Sequence, residues 1–491
     1  MKKRTFFPAL VTAILVAVSG CDAAPPSSSG DGVPQNSVVP EEKTAAPNFV
    51  FIFADDLRYD TLGTTNPQLH TPSIDGFAEE GMRFGNAFSV LSVCSPSRAT
   101  VLTGRYPSSH GVTTYGDTPV RPGNPSFVTA LRDAGYRTGV TGKWHLGNTP
   151  QEMGFQSADI FHANGPWYGR EVSENGEAKT VPGFIETWSV DRSIAFLKEA
   201  GAKQQPFFLW YNTQVPHMDH EFAWPASASS MDRYDAQQVP LPASYPPDLD
   251  ATGKPPYLQE SRSFTRAMEV YGYKDEAKLR AHIRDYYAAV TDMDAEVGRL
   301  LESLETLGLR ENTYVIFMSD NGWQLGEHGL TSKVLAYRRS MQVPLLIAGP
   351  GIEPAQTDSI VTNADLAPLI LELAGVAPAA EFHGESFRDL LLKKGDFERE
   401  FFYYESPTPQ LVPRSFFAIR NNRHLYIETY ANGDEGKTAN GGTAAPEFIE
   451  LYDIGGDPDE LVNLALQQGH EKILRQYAEQ LRSERQRYGS L

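Results

Sequence analysis

Phe49-Val50-Phe51-Ile52-Phe53-Ala54, opened by Asn48, is an unbroken apolar run that ends at Asp55-Asp56. A strand with one wet face alternates apolar and polar residues. This one does not, so both of its faces must be covered. Similar short runs recur at Thr138–Thr141, Phe207–Tyr211, Tyr314–Met318 and Val343–Ala348. Helical periodicity separates them. It is clearest over Asp285–Leu307, where Tyr286, Ala289, Met293, Val297, Leu300 and Leu304 fall on one face. Asp365–Ala374 is a second such segment, with Gly375 as its stop. Strands alternating with helices predict an α/β fold built on a large, mainly parallel sheet sandwiched by helices.

Polar clusters sit just past these runs: Asp55/Asp56, then Lys143 and His145, then His217, then Asp320/Asn321. Open α/β sheets bind ligands at the carboxyl ends of their strands, so these residues are expected to meet in one crevice. The Pro-rich stretch Trp224–Leu258 reads as a surface insertion. Beyond residue 400 the pattern changes to short strands at Phe401–Glu405, Ser415–Arg420 and His424–Thr429, then a final helix over 464–487. That predicts a smaller C-terminal α+β subdomain.

The chain has 491 residues, enough for two to three domains, and a net charge of −19. That charge argues against a nucleic-acid partner, which needs a basic surface. An anionic substrate would have to be drawn in by a local positive pocket. Lys2, Lys3 and Arg4 precede an apolar run, Phe6–Val18, too short to span a bilayer. Val18-Ser19-Gly20-Cys21 follows and resembles a bacterial lipobox. Residues 1–20 are thus expected to be a lipoprotein signal peptide, with Cys21 carrying lipid. The chain would be exported and held to a membrane in the periplasm or cell envelope; an ordinary secretory signal is the alternative. Residues 21–46, rich in Pro, Ser, Gly and acidic residues and free of aromatics, read as a flexible tether.

Asp55, Asp56, Asp320 and Asn321 offer three carboxylates and an amide oxygen. That set suits Ca²⁺ or Mg²⁺ better than Zn²⁺, although paired Asp residues also cap turns. Pro96 and Ser97 are helix-start residues, so Cys94 is expected just before a helix N-terminus, where the dipole favours anions. A buried apolar role and a thiolate nucleophile are the generic alternatives for this cysteine.

Cys94-Ser95-Pro96-Ser97-Arg98, followed by Thr103-Gly104-Arg105, resembles the C-x-P-x-R…T-G-R signature of the formylglycine-dependent sulfatases of the alkaline phosphatase superfamily. Asn48–Asp56, Gly142-Lys143-Trp144-His145-Leu146-Gly147, Ser319-Asp320-Asn321-Gly322 and Gly326–Lys333 extend the resemblance, which covers nearly all of residues 47–491. It implies a catalytic α/β domain over 47–400 and a subdomain over 401–491. It also implies that a formylglycine-generating, sulfatase-maturating enzyme oxidises Cys94 to formylglycine. The aldehyde hydrate attacks sulfur, and the sulfated hemiacetal then expels sulfate when its second hydroxyl loses a proton.

By the same resemblance Asp55, Asp56, Asp320 and Asn321, with residue 94, hold Ca²⁺, Mg²⁺ being the second choice. Arg98 positions the nucleophile, Lys143 and Lys333 contact the sulfate, His145 is the base, and His217 contacts sulfate or protonates the leaving oxygen. The export signal and lipid tether point to a sulfated poly- or oligosaccharide as the substrate, degraded in the periplasm. A phosphonate or phosphate monoester hydrolase of the same superfamily, and a glycan-binding lipoprotein with a vestigial site, are the other readings. Trp167, Tyr168, Trp224 and Tyr257 are candidates for stacking on sugar rings or for anchoring loops. Arg338 and Arg339 are candidates for anion contact.

Overall fold

The computed structural model describes residues 45–248, 252–431 and 444–490. The leader expected over residues 1–20, the lipid-bearing Cys21 and the tether up to residue 44 lie outside the described residues. The central strand, β1 (Asn48–Asp55), is buried along its whole length. Its side chains alternate between two cores, as a pleated strand requires. Val50, Ile52 and Ala54 pack with the helices Ile185–Ala202 and Glu276–Thr306. Phe49, Phe51 and Phe53 pack with Phe127–Asp133 and Leu366–Ala374 on the other face. Helices therefore cover both faces, which is why the run carries no polar alternation.

The remaining strands of this sheet are β2 (Met82–Phe88), β3 (Arg137–Lys143), β4 (Ser157–Phe161), β5 (Tyr168–Glu174), β6 (Glu177–Phe184), β7 (Phe207–Pro216) and β8 (Thr313–Ser319). After a two-stranded ribbon, β9 (Gln324–Leu325) and β10 (Thr331–Ser332), come β11 (Gln342–Val343), β12 (Leu345–Ala348) and β13 (Ala355–Thr362). The order is β11-β2-β12-β8-β1-β7-β3-β4-β5-β6, with β13 alongside β2. The block β8-β1-β7-β3-β4 is parallel. All five parallel strands thus point their carboxyl ends the same way, and the candidate residues collect at that edge.

The segment expected as one strand over Val343–Ala348 is divided at Pro344, which has no N–H to give to a ladder. Its second half runs antiparallel to both β8 and β2. The long helix begins earlier than its apolar stripe suggested, at Glu276, with the Asp275 side chain accepting from Ala277 N–H. The final helix begins later, at Glu471, because Gly469 adopts a left-handed conformation between it and a short turn at Leu464–Leu466. Trp224–Leu258 is not a mere surface insertion: Trp224 and Val239 enter the main core, and Tyr257 and Leu258 enter another.

Four antiparallel strands, β14 (Phe402–Ser406), β15 (Ser415–Arg420), β16 (His424–Tyr430) and β17 (Phe448–Asp453), form a second sheet. One face packs on Phe88, Leu91 and Val93, and the other on Tyr477 and Leu481 of the final helix. The sheet is thereby fixed directly behind the segment that leads into Cys94.

Candidate active site

Each main-sheet strand delivers its polar residues where its hydrogen-bond ladder ends. β1 ends in Asp55, β3 in Lys143, β7 leads to His217, and β8 leads to Asp320 and Asn321. The helix Cys94–Thr103 starts at Cys94 itself, one residue earlier than expected of a flanking position, and is buried throughout. Cys94 Sγ donates to Asp55 Oδ1 at 3.3 Å. Lys333 Nζ stands 2.7 Å from the sulfur and Lys143 Nζ 3.6 Å from it. Lys143 also pairs with Asp55, and Lys333 with Asp56. Arg98 Nη1 donates to Asn212 Oδ1 at 2.7 Å and to the Lys143 carbonyl at 3.0 Å, while Nη2 lies 3.3 Å from Asp320 Oδ2.

The donor set fits a hard cation. Carboxylate oxygens of Asp55, Asp56 and Asp320 lie within 4.8 Å of one another, all buried. Asp56 N–H donates to Asp320 Oδ1, and Asn321 Nδ2 donates to Asp56 Oδ1. Asp56 Oδ2 and Asn321 Oδ1 are buried and accept no hydrogen bond. Unpaired buried oxygens are costly unless a cation or donor meets them. Cys94 Sγ also shares mutual reach with Asp55 and His217.

Burial alone would raise the Asp55 carboxyl, but Lys143, His217, Lys333 and Arg98 together hold it well below the usual range. Asp320 is pushed up to about 7 by burial and by Asp55. Burial and the neighbouring Asp55 carboxylate push the Cys94 thiol up. A thiol so held stays protonated at neutral pH, which counts against a thiolate nucleophile. Burial, Lys143 and Arg98 push His145 well down, so its imidazole is neutral, and its Nδ1 has no partner. His217 Nδ1 lies 2.7 Å from the Met218 carbonyl, which can only accept, so the proton sits on Nδ1. Its Nε2 then accepts from Asn164 Nδ2 at 2.8 Å and stands 3.5 Å from Asp56 Oδ2.

Several of these residues sit in left-handed backbone: Asp56, His145, Ser332 and Val334, the last two flanking Lys333. Such strain in non-glycine residues concentrates at functional sites. Gly142 adopts φ 84°, and a Cβ there would lie 1.9 Å from the Asn212 carbonyl oxygen. Gly142→Ala is expected to cost about 2–3 kcal/mol of stability, read by urea unfolding. It should also displace Lys143 and His145; an unchanged unfolding midpoint would refute the close-approach argument.

The ten residues expected from sequence are thus brought together. Eight share hydrogen bonds or ion pairs, and His145 and His217 line the same cavity of about 400 Å³ as Cys94 and Lys333. Sequence reasoning missed Asn212, which holds Arg98, and Asn164, which holds His217. A buried amide inside an apolar strand needs a partner, and that was the available signal for Asn212. Trp323, Tyr115, Phe222, Arg262 and Arg266 also line the cavity and were not singled out.

Other candidates lie elsewhere. Trp167 and Trp224 are buried and donate from Nε1 to the carbonyls of His217 and Pro216, so they set the path of the His217 loop. Tyr257 is buried against β16 through Thr429, and Tyr168 is exposed beside Phe184. Arg339 is tied to Asp60 and Asp459, Arg338 lies over Tyr59, and Glu327 pairs with Arg58. Lys254 faces the Tyr337 and Tyr452 rings, away from the cavity-lining residues.

Comparison with known proteins agrees with this geometry. Residues 47–376 match the sulfatase family model, and residues 326–487 match the model for the C-terminal part of N-sulphoglucosamine sulphohydrolase. The chain is 28% identical over 487 residues to an N-acetylglucosamine-6-O-sulfatase of Bacteroides thetaiotaomicron, covering 86% of this chain and 83% of that one. It is 30% identical over 452 residues to human arylsulfatase A, covering 85% and 83%. A protein solved in complex with its substrate D-glucosamine-2-N,6-O-disulfate superimposes with a TM-score of 0.78 at 25% identity, covering 90% of this chain and 98% of that one. A match to the family model across most of the chain, on a sheet whose strand ends gather the signature residues, means that this chain belongs to the sulfatase family of the alkaline phosphatase superfamily and is a sulfuric ester hydrolase.

Proposed function

We propose that the enzyme removes sulfate from sulfated poly- or oligosaccharides, using formylglycine made from Cys94 by a formylglycine-generating enzyme, together with Ca²⁺. The observation that carries this reading is the placement of Cys94. It heads a buried helix, is flanked by two lysine ammonium groups, and lies against a cluster of three carboxylates. A hard divalent cation held by Asp55, Asp56, Asp320 and Asn321 supplies positive charge that lowers the pKa of a neighbouring hydroxyl and offsets charge on the ester.

The chain's own groups divide the remaining work. Lys143 and Lys333 hold the sulfate oxygens on either side of residue 94. Arg98, fixed by Asn212, the Lys143 carbonyl and Asp320, keeps the helix start in place against the carboxylates. His145, neutral and with a free Nδ1, accepts the proton whose loss from the hydrated aldehyde releases sulfate. His217 gives the leaving alkoxide its proton only as an imidazolium. In that state the Nε2–H is donated to the amide oxygen of a turned Asn164, and the proton passes to the alkoxide as this hydrogen bond is exchanged.

The relatives named for sulfated amino sugars support a carbohydrate substrate. Rates on matched sulfate monoesters, phosphate monoesters and phosphonate monoesters test the reaction class. Sulfate is expected to be preferred by at least about tenfold in kcat/KM; a preference for phosphorus would favour the phosphohydrolase reading. The charged start, apolar run and Cys21 support export and lipid anchoring. Cys21→Ala expressed in a bacterial host is expected to shift activity from the membrane pellet to the soluble fraction; unchanged partition would refute the anchor. Among the described residues no helix is long and apolar enough to cross a membrane.

A further inference from the structure

The cavity over Cys94 has two regions of different chemistry. Its floor is Cys94, His145, His217 and Lys333, which the proposed reaction uses. Its wall is Tyr115, Phe222, Arg262 and Arg266, which that reaction leaves unassigned. Arg262 opens the short helix Arg262–Thr265, and Arg266 opens the π-helical turn that continues it. Residues four apart project from the same side of a helix, so both guanidinium groups face the cavity. Among the described residues neither side chain has a carboxylate partner. By contrast Arg58, Arg98 and Arg339, close behind the site, are each paired with one. Two uncompensated cations at the mouth of the pocket of a −19 chain are a local reversal of the protein's field.

The neighbouring ring is held out deliberately. Phe222 is 47% exposed and left-handed at φ 61°, an unfavourable state for a large non-glycine residue. The turn is locked by Asp219 Oδ1, which accepts from both Glu221 N–H and Ala223 N–H. The Arg266 guanidinium lies 4.5 Å from the ring centroid, so charge and aromatic face form one surface. Burial gains nothing from a strained, exposed phenylalanine, whereas a sugar ring presents the C–H face that such a surface takes up.

We propose that Arg262 and Arg266 form a second anion subsite, with Phe222 as the platform for the sugar ring. The preferred substrate then carries a further anionic group, a sulfate or a carboxylate, besides the sulfate ester that is cleaved. This rests on the sulfatase reading of the floor and adds a charge requirement to it. Arginine's planar fork matches either oxyanion in two-point fashion.

The test uses the full-length, matured enzyme and its Arg262→Gln, Arg266→Gln and doubly substituted forms. Three substrates are compared: glucosamine 6-O-sulfate, its 2-N,6-O-disulfate, and a 6-O-sulfated disaccharide carrying a uronate. The expected result is a wild-type preference for one or both doubly charged substrates. Each substitution should lower the kcat/KM ratio of doubly to singly charged substrate by about tenfold, mainly through KM. Added salt should flatten the same ratio in the wild type. Loss confined to the disulfate assigns the second group as sulfate, and loss confined to the uronate assigns it as carboxylate. An unchanged ratio, including an equal loss on all three substrates, overturns the subsite and leaves the sulfatase reading intact. Failure of the wild type on every sulfate ester overturns both.

Discussion

Cys94→Ala protein is expected to lose turnover by about 10⁴-fold or more while keeping a near-native thermal midpoint. The side chain removed is small and lies at the head of a buried helix, so little packing goes with it. On the proposed mechanism, what goes is the covalent route to sulfur. The thiol itself is not that route, because burial and the Asp55 carboxylate hold it protonated. Cys94→Ser is the sharper variant. A serine hydroxyl in the same place can take sulfate once but has no second hydroxyl through which to expel it. Mass spectrometry should therefore find at most one stalled sulfate per molecule and no steady-state rate. Full activity in the alanine variant, or an unmodified thiol at position 94 in the active wild type, sinks the formylglycine proposal.

Chelation is expected to stop turnover and lower the thermal midpoint by several degrees, with Ca²⁺ restoring both and Zn²⁺ neither. The three carboxylates of Asp55, Asp56 and Asp320 converge in a buried space, and Lys143, Lys333 and Arg98 offset part of their charge. These ion pairs are why the metal-free chain should stay folded. The stability lost is about 3–4 kcal/mol if the free cation stood at roughly 100–1,000 times its Kd. Zn²⁺ fails because the donors are oxygen atoms, while it favours nitrogen and sulfur. Undiminished turnover in protein verified as metal-free by elemental analysis would show that the carboxylate cluster serves another purpose.

Where both sides of an element are covered, the sequence announces it. β1 was legible because every position from Phe49 to Ala54 is apolar, and the long helix because its stripe runs for five turns. β13 was not, because it lies at the sheet margin and its first residues alternate between wet and half-wet environments. β2 carries Gly85 and Asn86 in mid-strand, which read as a turn. The antiparallel course of β12 depends on the long connection between β8 and β11, which turns the chain back before Pro344, and on no local pattern at all. The site divides in the same way. Residues at strand ends, such as Asp55, Lys143 and Asp320, fall directly after apolar runs and were visible. Asn164, Trp323, Arg262 and Arg266 come from connecting segments, and only the folded path of those segments brings them to the pocket.

The sheet order has one more consequence. Asp55, Lys143, His217 and Asp320 hang from four neighbouring strands that the chain visits in widely separated stretches. No fragment holds more than a share of the machinery, and one strand slipped by a residue would turn its terminal group toward the wrong side. Catalysis in this architecture works as a head-count of finished molecules. A chain with one of these strands misplaced contributes nothing, so among fully matured, metal-loaded molecules specific activity reads as the native fraction.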